Sequence, residues 1–269
     1  MSEIDLELRL LAGRRRDLVV AQTQRLARMH DLLVSIFPDL ESVLDMRLNK
    51  SLVLLTEYVT PAELRATGRK CLVRHLKTAK VCKPEVLAVR ALEAAMGQPA
   101  TVPAERVTAR IIKEIAAEAL ACRARIKEIE DELTELLDRH PDAALIRSLP
   151  GMGAILTAEL IVEVGSISRF RSADSLAAAA GVAPVLRQSG KVRILRRPFG
   201  GNKALKRIFY QAAFCSLNHP NSRAFYDRKR REGKRHHQAL LALARRRVNV
   251  LWAMLRHRTS FQMNFKHAD

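Results

Sequence analysis

The chain has 269 residues, 48% of them apolar, and 47 Lys and Arg against 28 Asp and Glu, a formal net charge of +19. That length supports one large or two modest domains with a buried core, and the apolar content excludes a disordered polyelectrolyte. No apolar run reaches the ~18 to 20 residues of a membrane-spanning helix, no signal peptide opens the chain, and four separated cysteines without a CxxC pair exclude a disulfide scaffold and fit a reducing cytoplasm.

In chain order, residues 4–36 predict a long helix that ends at Phe37-Pro38. Leu8, Leu11, Leu18, Met29, Leu32 and Ile36 fall on heptad a and d positions, interrupted by Arg15, Gln22 and Arg25. Shorter helices are expected over 40–57, 61–80 and 84–96. Thr60-Pro61-Ala62-Glu63 reads as an N-cap with Pro in the first turn and Glu at N3. In and just after the second of these, Cys71, His75 and Cys82 offer three zinc-type ligands with no fourth. They are read as helix-core cysteines beside a surface histidine.

Residues 104–139 carry the clearest pattern. Ile112, Ala119, Ile126 and Leu133 occupy a, and Ile115, Cys122, Ile129 and Leu136 occupy d. A coiled-coil-like helix is expected, paired with the first helix, with another subunit, or with both. The expected organisation is a helical linker or coiled-coil region over 1–141 and a basic C-terminal domain over 142–269. The fold class is mainly α, with a helix-hairpin-helix at about 145–165 and an irregular loop or short hairpin. Homo-oligomerisation is expected through helices 4–36 and 104–139.

Charge divides the chain unevenly. Residues 1–165 are balanced, whereas residues 166–269 hold 23 basic and four acidic side chains and ten of the 12 aromatics. A field of that sign gathers polyanions, because each neutralised phosphate releases condensed counterions. Nucleic acid is the expected partner, with a solvated basic surface or an acidic membrane as the alternatives. Arg228-Lys229-Arg230-Arg231, His236-His237 and Arg245-Arg246-Arg247 add basic clusters on helices expected at 219–232 and 235–257. Trp252, with Val248, Leu251 and Leu255, reads as core.

Leu149-Pro150-Gly151-Met152-Gly153 joins two short apolar segments in a helix-hairpin-helix-like spacing. Gly151 and Gly153 permit close backbone approach, and N–H groups at the second helix's start can hold a phosphate. A helix capped by Ser172 and closed by Gly181 follows. Residues 182–203 are too polar and too Gly/Pro-punctuated for a helix, and a further helix starts near Asn202. Ser189 lies beside Gly190, with Arg187, Lys191, Arg193, Arg196 and Arg197 close in sequence. Dense guanidinium charge suits phosphoryl transfer, and it equally suits a serine that positions DNA without reacting.

LPGMG at 149–153, FRSADSLAAAAGVAP at 170–184, QSG at 188–190 and GNKALKRIFYQAA at 201–213 resemble, in that order, the C-terminal domain of the IS110 family of insertion-sequence transposases, also called bridge-RNA recombinases. The helices before them are similar to that family's helical linker. The resemblance implies a DNA transposase or recombinase in which Ser189 is the nucleophile that becomes linked to DNA. From the turn glycines, the basic loop and the start of the helix after it, the residues expected to contact nucleic acid are Gly151, Gly153, Arg187, Lys191, Arg193, Arg196, Arg197, Asn202, Lys203 and Arg207. The resemblance further implies a non-coding guide RNA and oligomeric assembly. The family's acidic ribonuclease-H-like domain, with its four metal ligands, has no counterpart before Ile4, so the chain is expected to be a truncated form. No cofactor is expected in this chain, and Mg2+ only where that acidic domain is supplied. Lys191 stands where a second glycine is common. A non-catalytic DNA- or RNA-binding remnant, or a regulator that co-assembles with full-length relatives, is the alternative.

Overall fold

Proline and capping chemistry cut the chain into helices. The computed structural model describes residues 2–98, 100–183, 185–189, 192–196 and 200–262, the two short stretches 185–189 and 192–196 by backbone alone. The elements are α1 (Glu3–Ile36), α2 (Pro38–Val43), α3 (Asn49–Leu55), α4 (Pro61–Thr78), α5 (Pro84–Gly97), α6 (Glu105–Asp138), α7 (Ala143–Ser148), α8 (Ala154–Val164), α9 (Ala173–Ala179), β1 (Val185–Ser189), β2 (Val192–Arg196), α10 (Lys203–Cys215), α11 (Pro220–Arg231) and α12 (His236–His257). The fold is mainly α, as the sequence predicts. Pro38, Pro61, Pro84 and Pro220 each open a helix, where a fixed φ is pre-organised and the missing N–H would be an orphan anyway. The capping box forms: the Glu63 amide donates to the Thr60 hydroxyl at 3.2 Å, and the Thr60 amide to the Glu63 carboxylate at 3.1 Å.

The single helix expected over 40–57 is two, α2 and α3. The chain turns extended at Leu44 and again at Leu48. Between them the Arg47 amide and guanidinium both donate to the Asp45 carboxylate at 2.9 Å. Such local side-chain bonds offer the backbone an alternative to the helical ladder.

Two compact units divide the chain. One comprises residues 14–129, the other residues 1–13 together with 130–269. In the first, α5 packs against α2 and α4 around the fully buried Phe37, Leu40, Leu52, Leu64, Leu72 and Leu76. There α1 and α6 run antiparallel: the Cys122 thiol donates to the Leu18 carbonyl at 3.6 Å, and Arg25 pairs with Glu118 at 3.1 Å. All the expected α6 seam positions are buried except Ile126, which is half-buried. Along α1 the buried residues are Leu8, Ala12, Gln22, Met29, Leu33 and Ile36, while Leu11, Leu18 and Leu32 are only half-buried. A 3.6-residue helix drifts by about 20° per heptad, which rolls the seam off the expected d positions.

The reading of Cys71 and Cys82 as core and His75 as surface is reversed. Both cysteines are exposed. His75 is half-buried, its Nε2 3.1 Å from the Val53 carbonyl and its ring edge-on to Tyr58. Leu64, Leu72 and Leu76 take the buried stripe of α4, and Cys71 falls outside it.

In the second unit α12 is the hub, in contact with α7, α9, α10 and α11, while α8 packs on α7 and α10. Ile208, Phe209, Leu240, Leu243, Val248, Leu251 and Met254 fill the space between them. Trp252 joins this packing by donating its indole N–H to the Phe170 carbonyl at 3.3 Å. The start of α1 is tied to the residues after α6 by Asp5 and His140, 3.2 Å apart.

Candidate nucleic-acid interface

The chain leaves α9 at Gly181 (φ +61°) and returns at Gly201 (φ +108°), conformations that side-chain-bearing residues rarely adopt. The two backbones touch. A Cβ on Gly201 would lie 2.8 Å from the Gly181 nitrogen and 3.1 Å from the Ala179 carbonyl. The Asn202 amide donates to that same carbonyl at 2.6 Å. This neck gathers the two ends of the segment 182–200, and the strands form within it. β1 and β2 pair antiparallel, from Val185 opposite Arg196 to Ser189 opposite Val192. Ser189 therefore occupies the last paired position of β1. Arg187 is opposite Ile194, and Arg193 is opposite Gln188. Lys191 and Arg197, with Gly190, lie outside the described residues.

Gly151 and Gly153 occupy unlike positions. Gly151 has φ +85°, and a Cβ there would lie 2.4 Å from the Ala212 carbonyl and 2.9 Å from the Ser216 amide nitrogen. Its lack of a side chain lets the α7–α8 turn dock on the end of α10. Gly153 is the N-cap of α8, with φ −77° and no side-chain cap bond. It is exposed, and nothing lies within 4 Å of where its Cβ would be. Of the two glycines, Gly153 leaves the room for a phosphate at the positive end of a helix.

Asn202 caps α10 by accepting from the Ala204 and Leu205 amides at 2.8 and 3.1 Å, and its Nδ2 donates to Glu163 at 2.7 Å. Arg207 donates to Glu159 at 2.6 Å, and Glu159 is only 3% exposed. Both side chains thus meet carboxylates of α8. Lys203 and Arg207 also line a groove of about 350 Å³ with Lys206, Tyr210, His237 and Leu241. Lys206 and Tyr210 were not among the expected contacts. The signal was present, since residues 203, 206, 207 and 210 recur at helical spacing on one face of α10. His236 turns elsewhere, its Nδ1 2.7 Å from the Tyr226 hydroxyl.

A second basic surface surrounds Phe225. The Arg228 and Arg246 guanidinium carbons each lie 5.1 Å from its ring centre, and the Lys229 ammonium 5.6 Å. The ring's negative faces help to hold three like charges close together. Arg247, adjacent in sequence, is 5% exposed and donates through Nη2 to the Pro150 carbonyl. Among the described residues no group of three or more His, Cys, Asp or Glu side chains could hold a metal ion, and no helix is long and apolar enough to cross a membrane.

Residues 143–227, from α7 to the middle of α11, match the model of the transposase IS116/IS110/IS902 family. The chain is 42% identical, over 96% of its length, to the uncharacterized 44.8 kDa protein of insertion element IS116 from Streptomyces clavuligerus. It is 41% identical, over 94% of its length, to the uncharacterized 42 kDa protein of insertion element IS900 from Mycobacterium paratuberculosis. It spans 66% and 65% of those two proteins, just under two thirds of each. A pilin gene-inverting protein of Moraxella bovis is 30% identical over 51% of the chain and 45% of its own length. The neck, the strand pair and α10 all fall inside the matched segment, and the chain carries the transposase domain of the IS116/IS110/IS902 family.

Proposed function

We propose that this chain moves insertion-sequence DNA as a transposase or recombinase, with Ser189 as the nucleophile. What supports this reading is the hairpin held at the glycine neck. It puts Ser189 at the end of β1, on a pair of strands that also carries Arg187, Arg193 and Arg196. The serine hydroxyl attacks a DNA phosphorus. The Oγ–P bond forms, one P–O ester bond breaks, and the departing strand end leaves as a hydroxyl that takes up the proton. One phosphodiester replaces another, so no oxidant, reductant or nucleotide is consumed. The arginines stabilise the charge that builds on the phosphoryl oxygens, while Lys203, Lys206 and the N-terminus of α8 at Gly153 hold flanking phosphates. An acidic partner domain is the proposed source of Mg2+ ligands, a non-coding RNA the proposed guide, and a second copy the proposed partner of α1 and α6.

The test is covalency. The protein is incubated with a separately expressed acidic domain of a full-length relative, insertion-sequence DNA and the matched RNA. A detergent-stable protein–DNA adduct that maps to Ser189 by mass spectrometry is expected, and Ser189→Ala should abolish it. An equal yield from Ser189→Ala would overturn the nucleophile. Intact DNA binding without any adduct would favour a non-catalytic binding protein.

A further inference from the structure

Apart from the α10 groove, the second unit holds a cavity of about 310 Å³, within the size range of small-ligand sites. Its walls are largely apolar and include Leu149, Leu243, Val250 and Phe261, yet Arg246 and Arg247 open into it. Arg247 is 5% exposed. Its Nη2 bonds the neutral Pro150 carbonyl, while its Nε is buried and has no hydrogen-bond partner among the described residues. Burial pushes its pKa down only to about 10, so it is cationic at neutral pH. A charge this deep is normally matched by a carboxylate, because desolvating a lone ion costs several kcal/mol.

Among the described residues no carboxylate pairs with it. Of the carboxylates in residues 166–262, Asp174 pairs with Arg245, Asp227 with Arg223, and Glu232 with Lys229. Two further features of the lining bear on what it would hold. The Nδ1 of His219, which also lines it, is buried and lacks a hydrogen-bond partner among the described residues. His219 is the N-cap of α11 but makes no side-chain cap bond, and Ser222 of that helix's first turn lines the same cavity. The positive end of a 12-residue helix thus faces the space that Arg247 enters.

We propose that this cavity receives a single unpaired nucleotide of a bound DNA or RNA strand, its phosphate on Arg246 and Arg247 and its base against Leu243, Val250 and Phe261. The proposal rests on the nucleic-acid reading above. The combination of apolar walls and a desolvated guanidinium suits a nucleotide, which joins an anion to a flat, weakly polar ring. A paired nucleotide cannot enter, because its base is held in the stack. The occupant must be a bulged, flipped or single-stranded one. Arg247 would then read strand structure, through the cost of its own unpaired charge.

The full chain is titrated against duplexes that carry one bulged 2-aminopurine nucleotide, in DNA and in RNA form, and against the fully paired counterparts. About tenfold tighter binding of a bulged probe is expected, from base–aromatic contact, with a change in 2-aminopurine fluorescence on binding. The DNA and RNA arms identify which strand supplies the nucleotide. Ala253→Met, at a half-buried lining position, fills the cavity and should remove the preference while paired-duplex binding stays intact. Arg246→Gln, at a half-exposed site, should weaken the bulged probe more than the paired one. Equal binding of bulged and paired probes by the unaltered protein, or a preference that survives both substitutions, would overturn the proposal. Binding of neither probe would overturn the nucleic-acid reading itself, and the nucleotide site with it.

Discussion

Gly181 and Gly201, twenty residues apart in sequence, meet backbone to backbone, so that a Cβ on Gly201 would lie 2.8 Å from the Gly181 nitrogen. This contact closes the base of the segment that carries β1, Ser189 and β2. The ends of that segment belong to α9 and α10, and α10 is in turn anchored on α8 through Glu159 and Glu163. Both ends of that segment are therefore held by residues outside it.

Glycine substitutions should sort by this geometry. Gly201→Ala should cost about 2 kcal/mol or more in thermal or denaturant unfolding, because it combines a strained φ with a backbone clash. Gly151→Ala should cost at least as much, since its Cβ would lie 2.4 Å from the Ala212 carbonyl. Gly153→Ser should stay within about 0.5 kcal/mol, because the position is open and serine is a good N-cap. Any loss of DNA binding by Gly153→Ser would then report phosphate contact rather than unfolding.

Within the α10 groove, lysine and arginine should behave differently in nucleic-acid binding. Lys203→Gln and Lys206→Gln should each weaken binding to any sequence and lower the salt-dependence slope by about 0.9. Arg207→Gln should lower that slope less, because its charge is already partly neutralised by Glu159 at 2.6 Å. Its larger effect should be on stability, about 1–3 kcal/mol, because it removes a charged hydrogen-bond donor from the buried Glu159 carboxylate. Fluorescence anisotropy across a salt series, beside denaturant melts, separates the two effects.

A pH dependence follows from Glu63 in the first unit. Burial acts to raise its pKa, but the Lys113 ammonium at 2.5 Å and the Val59 and Thr60 amides outweigh it and hold the carboxyl below its ordinary value of 4.5. A depressed folded-state pKa gives stability that is fully present above the unfolded value and is lost as pH falls through the folded one. Denaturant unfolding should show Glu63→Gln less stable than the unaltered chain at pH 7. The gap should narrow below about pH 4.5 and close at lower pH. A gap independent of pH would show that the bonds to the ionised carboxylate contribute nothing.

Helix starts such as Pro61, Pro84 and Pro220, and the caps Thr60, Ser172 and Asn202, were legible in the sequence. They are decided within one turn of chain, by a fixed φ and by which orphan amides a nearby oxygen can reach. The apolar repeat of α6 was legible for a related reason. A helix buries residues at its own period wherever a neighbour lies along it, as Ile112, Ala119 and Ile129 show. The family was legible because its marks are ordered short blocks, from LPGMG to GNKALKRIFYQAA.

What only the tertiary structure decided was the use of residues that look alike in sequence. Arg245, Arg246 and Arg247 read as one basic cluster. In the fold, Arg245 meets Asp174, Arg246 stacks over Phe225, and Arg247 is drawn inward to the Pro150 carbonyl. Gly151 and Gly153 share a motif, yet one packs against α10 and the other faces open space. Successive helical residues point about 100° apart, so their partners come from different elements. Composition alone specifies the net charge of +19. Which of those charges are matched by carboxylates, and which remain for a polyanion, is set by long-range packing that brings α8, α10, α11 and α12 together.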